Sequence, residues 1–218
     1  MEWPMLEGLA SGEIEQVLAL GRRRRFARRE VVWHEGDRAD TMHLIRSGRM
    51  AVRAMTSLGE VVTVIVFGPG DAAGLVGAVA SDPYFTTTGV ALEPTETVAI
   101  RVDDFTDVRR RLRGVNEAVI RFLADRTLAL SAQLVEAIYV PADMRVLKRL
   151  IMLCDVYGER GDGEVLVPLT QEDLAELAGV ARPTVNRVLK REEEGGTLRL
   201  SRGSITITDR ERLVQRAT

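Results

Sequence analysis

Residues 170 to 190 leave the chain little choice of local structure, and they constrain how the rest can be read. Thr170 followed by Asp173 is a capping-box-like helix start, because a side-chain oxygen at that position satisfies an otherwise orphaned backbone N–H. Leu174 and Leu177 supply a buried face, and Ala175 is small where a second helix must cross closely. Gly179 stands where a left-handed residue closes the first helix, and Val180 anchors the turn. Pro183 falls in the first turn of the next helix, where its missing N–H costs little. Val185, Val188 and Leu189 then form an inner stripe at helical spacing. Two short helices joined by a tight glycine turn make a helix-turn-helix.

Charge is segregated between these two helices. The first carries Glu172, Asp173 and Glu176; the second carries Arg182, Arg187 and Lys190. The basic helix is the one expected to enter a DNA major groove, where an arginine can bond two acceptors on guanine. Thr184 and Asn186 are expected to meet phosphate or a base edge, and Thr170 and Gln171 belong to the same candidate surface. Downstream, Thr197–Leu200 and Ser204–Ile207 flank Ser201-Arg202-Gly203 and read as a hairpin wing, with Arg199 and Arg202 directed at phosphates. The competing reading is an ordinary helical hairpin with a solvated basic face. A net charge of −2 argues against a protein that coats nucleic acid, but not against a local DNA face.

The N-terminal half has a different period. Ser11 reads as the cap of a short helix with Ile14, Val17 and Leu18 on one face. From Arg22 to about Arg101, short apolar runs alternate with turn residues: Val31–Trp33, Met42–Ile45, Met50–Ala54, Val61–Phe67, Thr86–Ala91 and Thr97–Arg101. Strands punctuated in this way predict a sandwich or barrel. The Arg22–Arg25 run reads as a charged strand edge that discourages unwanted pairing.

A short helix to about Arg113 precedes a long one from about Asn116 to Tyr139. Ile120, Leu123, Thr127, Leu130, Leu134 and Ala137 recur at alternating spacings of three and four, a heptad seam that predicts a homodimer contact. A second stripe, Val119, Phe122 and Val135, is available to the strand domain of the same chain. Pro141 breaks the helix. Beyond it Val146, Leu147, Leu150, Ile151 and Cys154 share one face, with Cys154 read as a small buried apolar side chain. The predicted fold class is α+β, with an N-terminal jelly-roll-like β-roll over 1–113, a dimerisation helix over 114–140, and a C-terminal winged helix-turn-helix over 141–218.

In this order of parts the chain resembles the CRP/FNR family of bacterial regulators over nearly its whole length. The turns at Gly36-Asp37, Gly48 and Gly70-Asp71 look like those of a cyclic-nucleotide-binding β-roll, and residues 169 to 187 look like the family's DNA-reading motif. The resemblance implies base-reading roles for Arg182 and Arg187. Pro183 stands where the family commonly has glutamate, so an acidic contact to cytosine does not carry over.

The sensor departs further. Cyclic AMP binders of the family pair a glutamate with the ribose and an arginine with the phosphate. Here Leu75 stands at the first position and Phe85 at the second, and no Arg or Lys occurs between Arg53 and Arg101. Burying a phosphate without a countercharge is unfavourable. The expected pocket is therefore apolar or closed. Its candidate lining is Gly74, Leu75, Val76, Phe85, Thr86 and Thr87, with Leu130 and Ser131 from the long helix. Backbone N–H groups near Gly74 remain the local attraction for an anion.

Other chemistries find little support. One cysteine excludes an iron–sulfur cluster held by a single chain, and haem would have to use His34, His43 or Cys154. No metal-spaced cluster, paired nucleophile and base, or phosphate loop suggests an enzyme. The expectation is a regulator without cofactor or metal. Its expected partners are palindromic duplex DNA, a second copy of itself and a small-molecule effector, cyclic nucleotide being the less expected one, with RNA polymerase a further candidate. No apolar run approaches the ~20 residues of a membrane span, and Met1-Glu2-Trp3-Pro4 lacks a signal-peptide pattern. The expected compartment is the cytoplasm.

Overall fold

The strand-like segments upstream become two four-stranded sheets in the computed structural model, which describes residues 3–158 and 163–217. Met1 and Glu2, part of the stretch read above as lacking a signal sequence, lie outside the described residues. A 3-10 turn at Pro4–Leu6 and helix α1 (Ser11–Ala19) lead into β1 (Arg22–Phe26), β2 (Val31–Trp33), β3 (Thr41–Ser47), β4 (Met50–Met55) and β5 (Val61–Phe67). Then come β6 (Ala72–Ala73), the short helix α2 (Leu75–Val79), β7 (Thr88–Ala91) and β8 (Thr95–Arg101). Strand order is β1-β8-β3-β6 in one sheet and β2-β7-β4-β5 in the other. Helix α1 begins one residue earlier than a Ser11 cap would place it. Its N-cap is Ala10, whose N–H donates to Glu13 Oε2 at 3.0 Å, so the glutamate reaching back sets the boundary.

The arginine run is a strand edge. All four arginines of β1 are exposed, and β1 pairs with β8 alone in its sheet. Arg25 reaches Glu96 at 3.1 Å, Arg46 at 3.5 Å and Arg23 at 3.9 Å, so three guanidiniums share one carboxylate. Surplus positive charge along an unpaired edge opposes pairing with another strand.

Two apolar clusters fill this part of the chain. One gathers Met5, Leu6, Val17, Met42, Leu44, Leu75, Ile100 and Phe105; the other gathers Trp33, Ile45, Met50, Phe67 and Phe85. Gly89 shows how tightly the second is packed: a Cβ there would come within 2.5 Å of the Trp33 ring. Helix α3 (Val102–Arg111) is followed by the long helix α4 (Arg113–Tyr139), which starts three residues before Asn116. Val115, Ala118 and Val119 are buried, and Phe122 and Leu123 pack half-buried on the first cluster. Val135, expected on that same buried stripe, is instead 57% exposed. The stripe ends once the helix has passed the apolar cluster it covers.

Two compact units emerge, residues 1–55 with 65–131 and residues 56–64 with 132–218. In the second, α5 (Ala142–Tyr157), β9 (Val165–Val167), α6 (Gln171–Ala178) and α7 (Arg182–Glu194) precede β10 (Leu198–Ser201), β11 (Ser204–Ile207) and α8 (Arg210–Arg216). The wing is a three-stranded sheet of order β10-β11-β9, in which Ile205 registers with Leu200 and Val167. Val146, Leu150, Cys154, Leu174, Val185, Leu189 and Leu213 are buried. Glu192 is buried too, and is offset by Arg216 at 3.2 Å and by the Thr197 hydroxyl, which donates at 3.0 Å. A buried carboxylate needs both countercharge and hydrogen bonds, and here it ties α7 to the start of the wing and to α8.

Candidate nucleic-acid interface and sensor pocket

The turn between α6 and α7 follows from its residues. Thr170 Oγ1 accepts the Asp173 N–H at 3.1 Å, and the Thr170 N–H donates to Asp173 Oδ2 at 2.8 Å, completing the capping box. Gly179 takes φ 59°, ψ 45°, the left-handed cap that only glycine adopts cheaply. Arg145 of α5 then clamps the turn, donating to Ala178 O at 3.1 Å, Gly179 O at 3.0 Å and Val140 O at 3.1 Å. Pro183 occupies the first turn of α7, and Val185, Val188 and Leu189 face inward.

Arg182, Arg187 and Lys190 lie exposed along the opposite face of α7, with Thr184 and Asn186 half-buried beside them. The other predicted contacts are differently placed. The Thr170 hydroxyl is spent on the cap, donating to Asp173 Oδ2 at 2.7 Å. Gln171 Oε1 accepts from Asn186 Nδ2 at 3.2 Å, so these two side chains pair across α6 and α7. Arg182 lies 3.7 Å from Glu172. On the wing, Arg199 is bonded to Glu164 at 2.6 Å and Arg202 is exposed in the β10–β11 turn.

In the roll, Phe85 stacks on Trp33 at a centroid distance of 4.7 Å, and Trp33 lies against the His43 ring at 6.0 Å. The Trp33 indole donates to Thr87 O at 2.9 Å, fixing the ring in place. Leu75 is fully buried in the first cluster, whereas Val76 is 52% exposed and Thr86 is exposed. Gly74 caps α2 in the left-handed region, and a Cβ on it would meet the Phe85 ring at 3.4 Å. Leu130 is 45% exposed and Ser131 is exposed, its hydroxyl donating to Thr127 O at 2.9 Å. The eight predicted pocket residues thus divide between core and surface.

A cation enters from a direction that the sequence reading did not consider. The Arg126 guanidinium of α4 lies 4.9 Å over Phe67 and 5.8 Å from the Phe122 centroid. Burial lowers its pKa, and the Asp71 carboxylate opposes that shift. Asp71 is itself pushed up by burial, against the Gly68 N–H it accepts and the charge of Arg126. Both line a cavity of about 630 Å³ with Phe122, Arg121 and Asp125. A search for a substitute cation between Arg53 and Arg101 misses Arg126. Its helical spacing from Phe122, i to i+4, was the available signal.

A cyclic nucleotide-binding domain model matches residues 23–111, and a Crp-like helix-turn-helix domain model matches residues 144–216. The chain is 31% identical over 201 residues to the CRP-like cAMP-activated global transcriptional regulator of Mycobacterium tuberculosis, covering 88% of this chain and 86% of that one. The chain belongs to the CRP/FNR family. It is a DNA-binding transcriptional regulator of that type, and its mixed helix-and-sheet fold is the family's. The cyclic AMP receptor protein of Thermus thermophilus is 28% identical over 206 residues, with 94% and 93% of the two chains covered. The c-di-GMP responsive global regulator CLP of Xanthomonas campestris has the same fold, with a TM-score of 0.77 at 21% identity over 91% of this chain and 99% of that one. No helix among the described residues is long and apolar enough to cross a membrane.

The core of this roll holds a buried titratable group. His43 is buried against Trp33 and Phe26 with Nδ1 3.1 Å from Thr97 Oγ1, and its pKa is lowered to about 4 by burial and by the charge of Arg24. The unfolded chain, titrating near 6.5, takes up a proton below that pH which the folded chain refuses down to about 4. Stability present above pH 6.5 should therefore drop by up to roughly 3 kcal/mol as pH falls through that window. Denaturant unfolding at pH 7 and pH 4.5 checks this: His43→Gln should show a shallower pH dependence than the parent. Identical slopes would mean that His43 titrates normally.

Proposed function

We propose that the chain acts as a cytoplasmic, non-enzymatic homodimer that reads palindromic duplex DNA, with Arg182 and Arg187 at base edges. In this reading Thr184, Asn186, Lys190, Arg199 and Arg202 serve as phosphate or flanking contacts, and Thr170 and Gln171 orient α6. Residues 1–113 form the sensor, 114–140 the dimer helix and 141–218 the reading head. The observation that carries this is the segregation of α7: its basic residues are exposed above a buried apolar stripe, behind a capped and clamped glycine turn. Twofold symmetry would set the two half-sites about one DNA turn apart. Ile120, Leu130 and Leu134 support the dimer, since all three are exposed apolar residues of the heptad seam. Thr127 and Ala137 are exposed with them, while Leu123 is half-buried.

The sensor is proposed to be altered away from cyclic AMP, because Phe85 and Trp33 occupy the interior where an arginine–phosphate pair would be needed. A nucleotide-responsive reading is favoured by one observation, the Arg126 guanidinium, which supplies a cation from α4. RNA polymerase is a further partner under either reading. Selection of bound duplexes from a random pool, with and without cyclic AMP, tests both. A palindrome recovered equally in the two arms supports a regulator indifferent to that nucleotide. Recovery only with cyclic AMP supports the second reading, and no enrichment in either arm counts against the assigned DNA surface.

A further inference from the structure

Arg187 does not stand idle in the DNA-free protein. Asp143, in the first turn of α5, meets it end-on: Nη2 donates to Oδ1 at 2.7 Å and Nη1 to Oδ2 at 3.1 Å. Arg191, one turn further along α7, lies 3.5 Å from Oδ2. The carboxylate is the better enclosed partner, its side chain 24% exposed against 66% for Arg187. The N-terminal turn of α5 favours a negative charge at that place. Asp143 is thus held, and the guanidinium comes to it.

The geometry matters because of which donors are used. A guanidinium bonding guanine O6 and N7 presents two N–H groups in a planar fork, the same arrangement that grips a carboxylate. The end-on pair that Arg187 gives to Asp143 cannot be given to a base at the same time. We infer that Asp143 is an intramolecular competitor of DNA: it takes the acceptor's place at Arg187 and must be displaced before Arg187 reads a base. This rests on the base-reading role proposed for Arg187. Asp143 is then an affinity-setting residue outside the recognition helix, two residues after Pro141, and it tempers binding to any duplex without touching a base.

The competition passes through Arg187, which separates it from a general effect of negative charge near DNA. In the full-length chain, Asp143→Asn keeps the shape and removes the charge. Its binding is measured by fluorescence anisotropy over a series of salt concentrations, on a duplex recovered by selection and on a mixed-sequence duplex of equal length. Binding to each should tighten about fivefold per subunit, the scale of one exposed but bidentate pair, and so up to about 25-fold for the dimer. The slope against log salt should steepen by about one per subunit, about two for the dimer, on the mixed-sequence duplex as Arg187 reaches phosphate. In an Arg187→Ala background the same substitution should change nothing beyond error, and the double-mutant cycle gives that dependence directly.

Unchanged or weaker binding by a folded Asp143→Asn overturns the inference, and so does an equal gain without Arg187. Thermal unfolding checks the fold, and Asp143→Ser, an uncharged polar residue in the same first turn, is the second variant should Asn destabilise α5. If Arg187→Ala alone weakens both duplexes equally, the base-reading role fails. The Arg187-dependent gain on mixed-sequence DNA, which needs no operator, then still decides the competition.

Discussion

Arg187→Ala should cost about 2–6 kcal/mol of binding to the selected duplex and far less on mixed-sequence DNA, since a bidentate arginine–guanine pair discriminates by ~1–3 kcal/mol and a dimer carries the substitution twice. Its free energy is spent on a base edge, which mixed-sequence DNA does not present in register. On that DNA the loss should be one phosphate-seeking cation per subunit, visible mainly as a shallower salt slope. Arg202→Ala, on the exposed turn between β10 and β11, is the contrasting case, weakening both duplexes alike because phosphate contacts position without reading. Parallel titrations of both variants on both duplexes check the pair. Equal losses for Arg187→Ala on the two DNAs would assign Arg187 to the backbone and leave specificity to Arg182.

The reading head was legible in the sequence because its signals are local. Thr170, Asp173, Gly179 and Pro183 each specify a backbone state within a few residues, and the structure places all four as caps or turn residues. What sequence reasoning missed there acts over longer separations. Arg145 clamps Gly179 from 34 positions away and Asp143 grips Arg187 from 44 away, and no period or motif announces either. Strand β9 and helix α8 escaped for a related reason: three residues of strand and seven of helix carry too little pattern to be seen without their neighbours.

The sensor was legible only as an absence. Leu75 and Phe85 stand where the resemblance implies a ribose-binding glutamate and a phosphate-binding arginine, and the structure shows where these two side chains go. Leu75 joins the core and Phe85 stacks on Trp33, which Gly89 makes room for. Arg126 escaped notice because it belongs to a helix read for its heptads. A guanidinium at 4.9 Å from the Phe67 ring is a tertiary fact with no trace in a linear window.

That same helix carries the other large effect. Leu134→Asp should convert the protein to a monomer and reduce binding to the palindromic duplex by about 10²–10⁴-fold, the factor by which linking two sites exceeds either alone. Leu134 is 62% exposed in the single chain, and Ile120 and Leu130 on the same seam are also exposed. Two facing helices would bury this residue twice, once from each subunit, and an aspartate pair there would have to lose its hydration with no cation opposite. The single chain has no such objection: the side chain already meets solvent, so its own stability should move by only about 0.5 kcal/mol. The two consequences separate cleanly, with light scattering reporting mass and thermal unfolding reporting the fold. A monomer that melts like the parent and still binds a single half-site weakly is the expected result. A fully dimeric Leu134→Asp would move the subunit contact off this seam and require another surface to hold the two reading heads one turn apart.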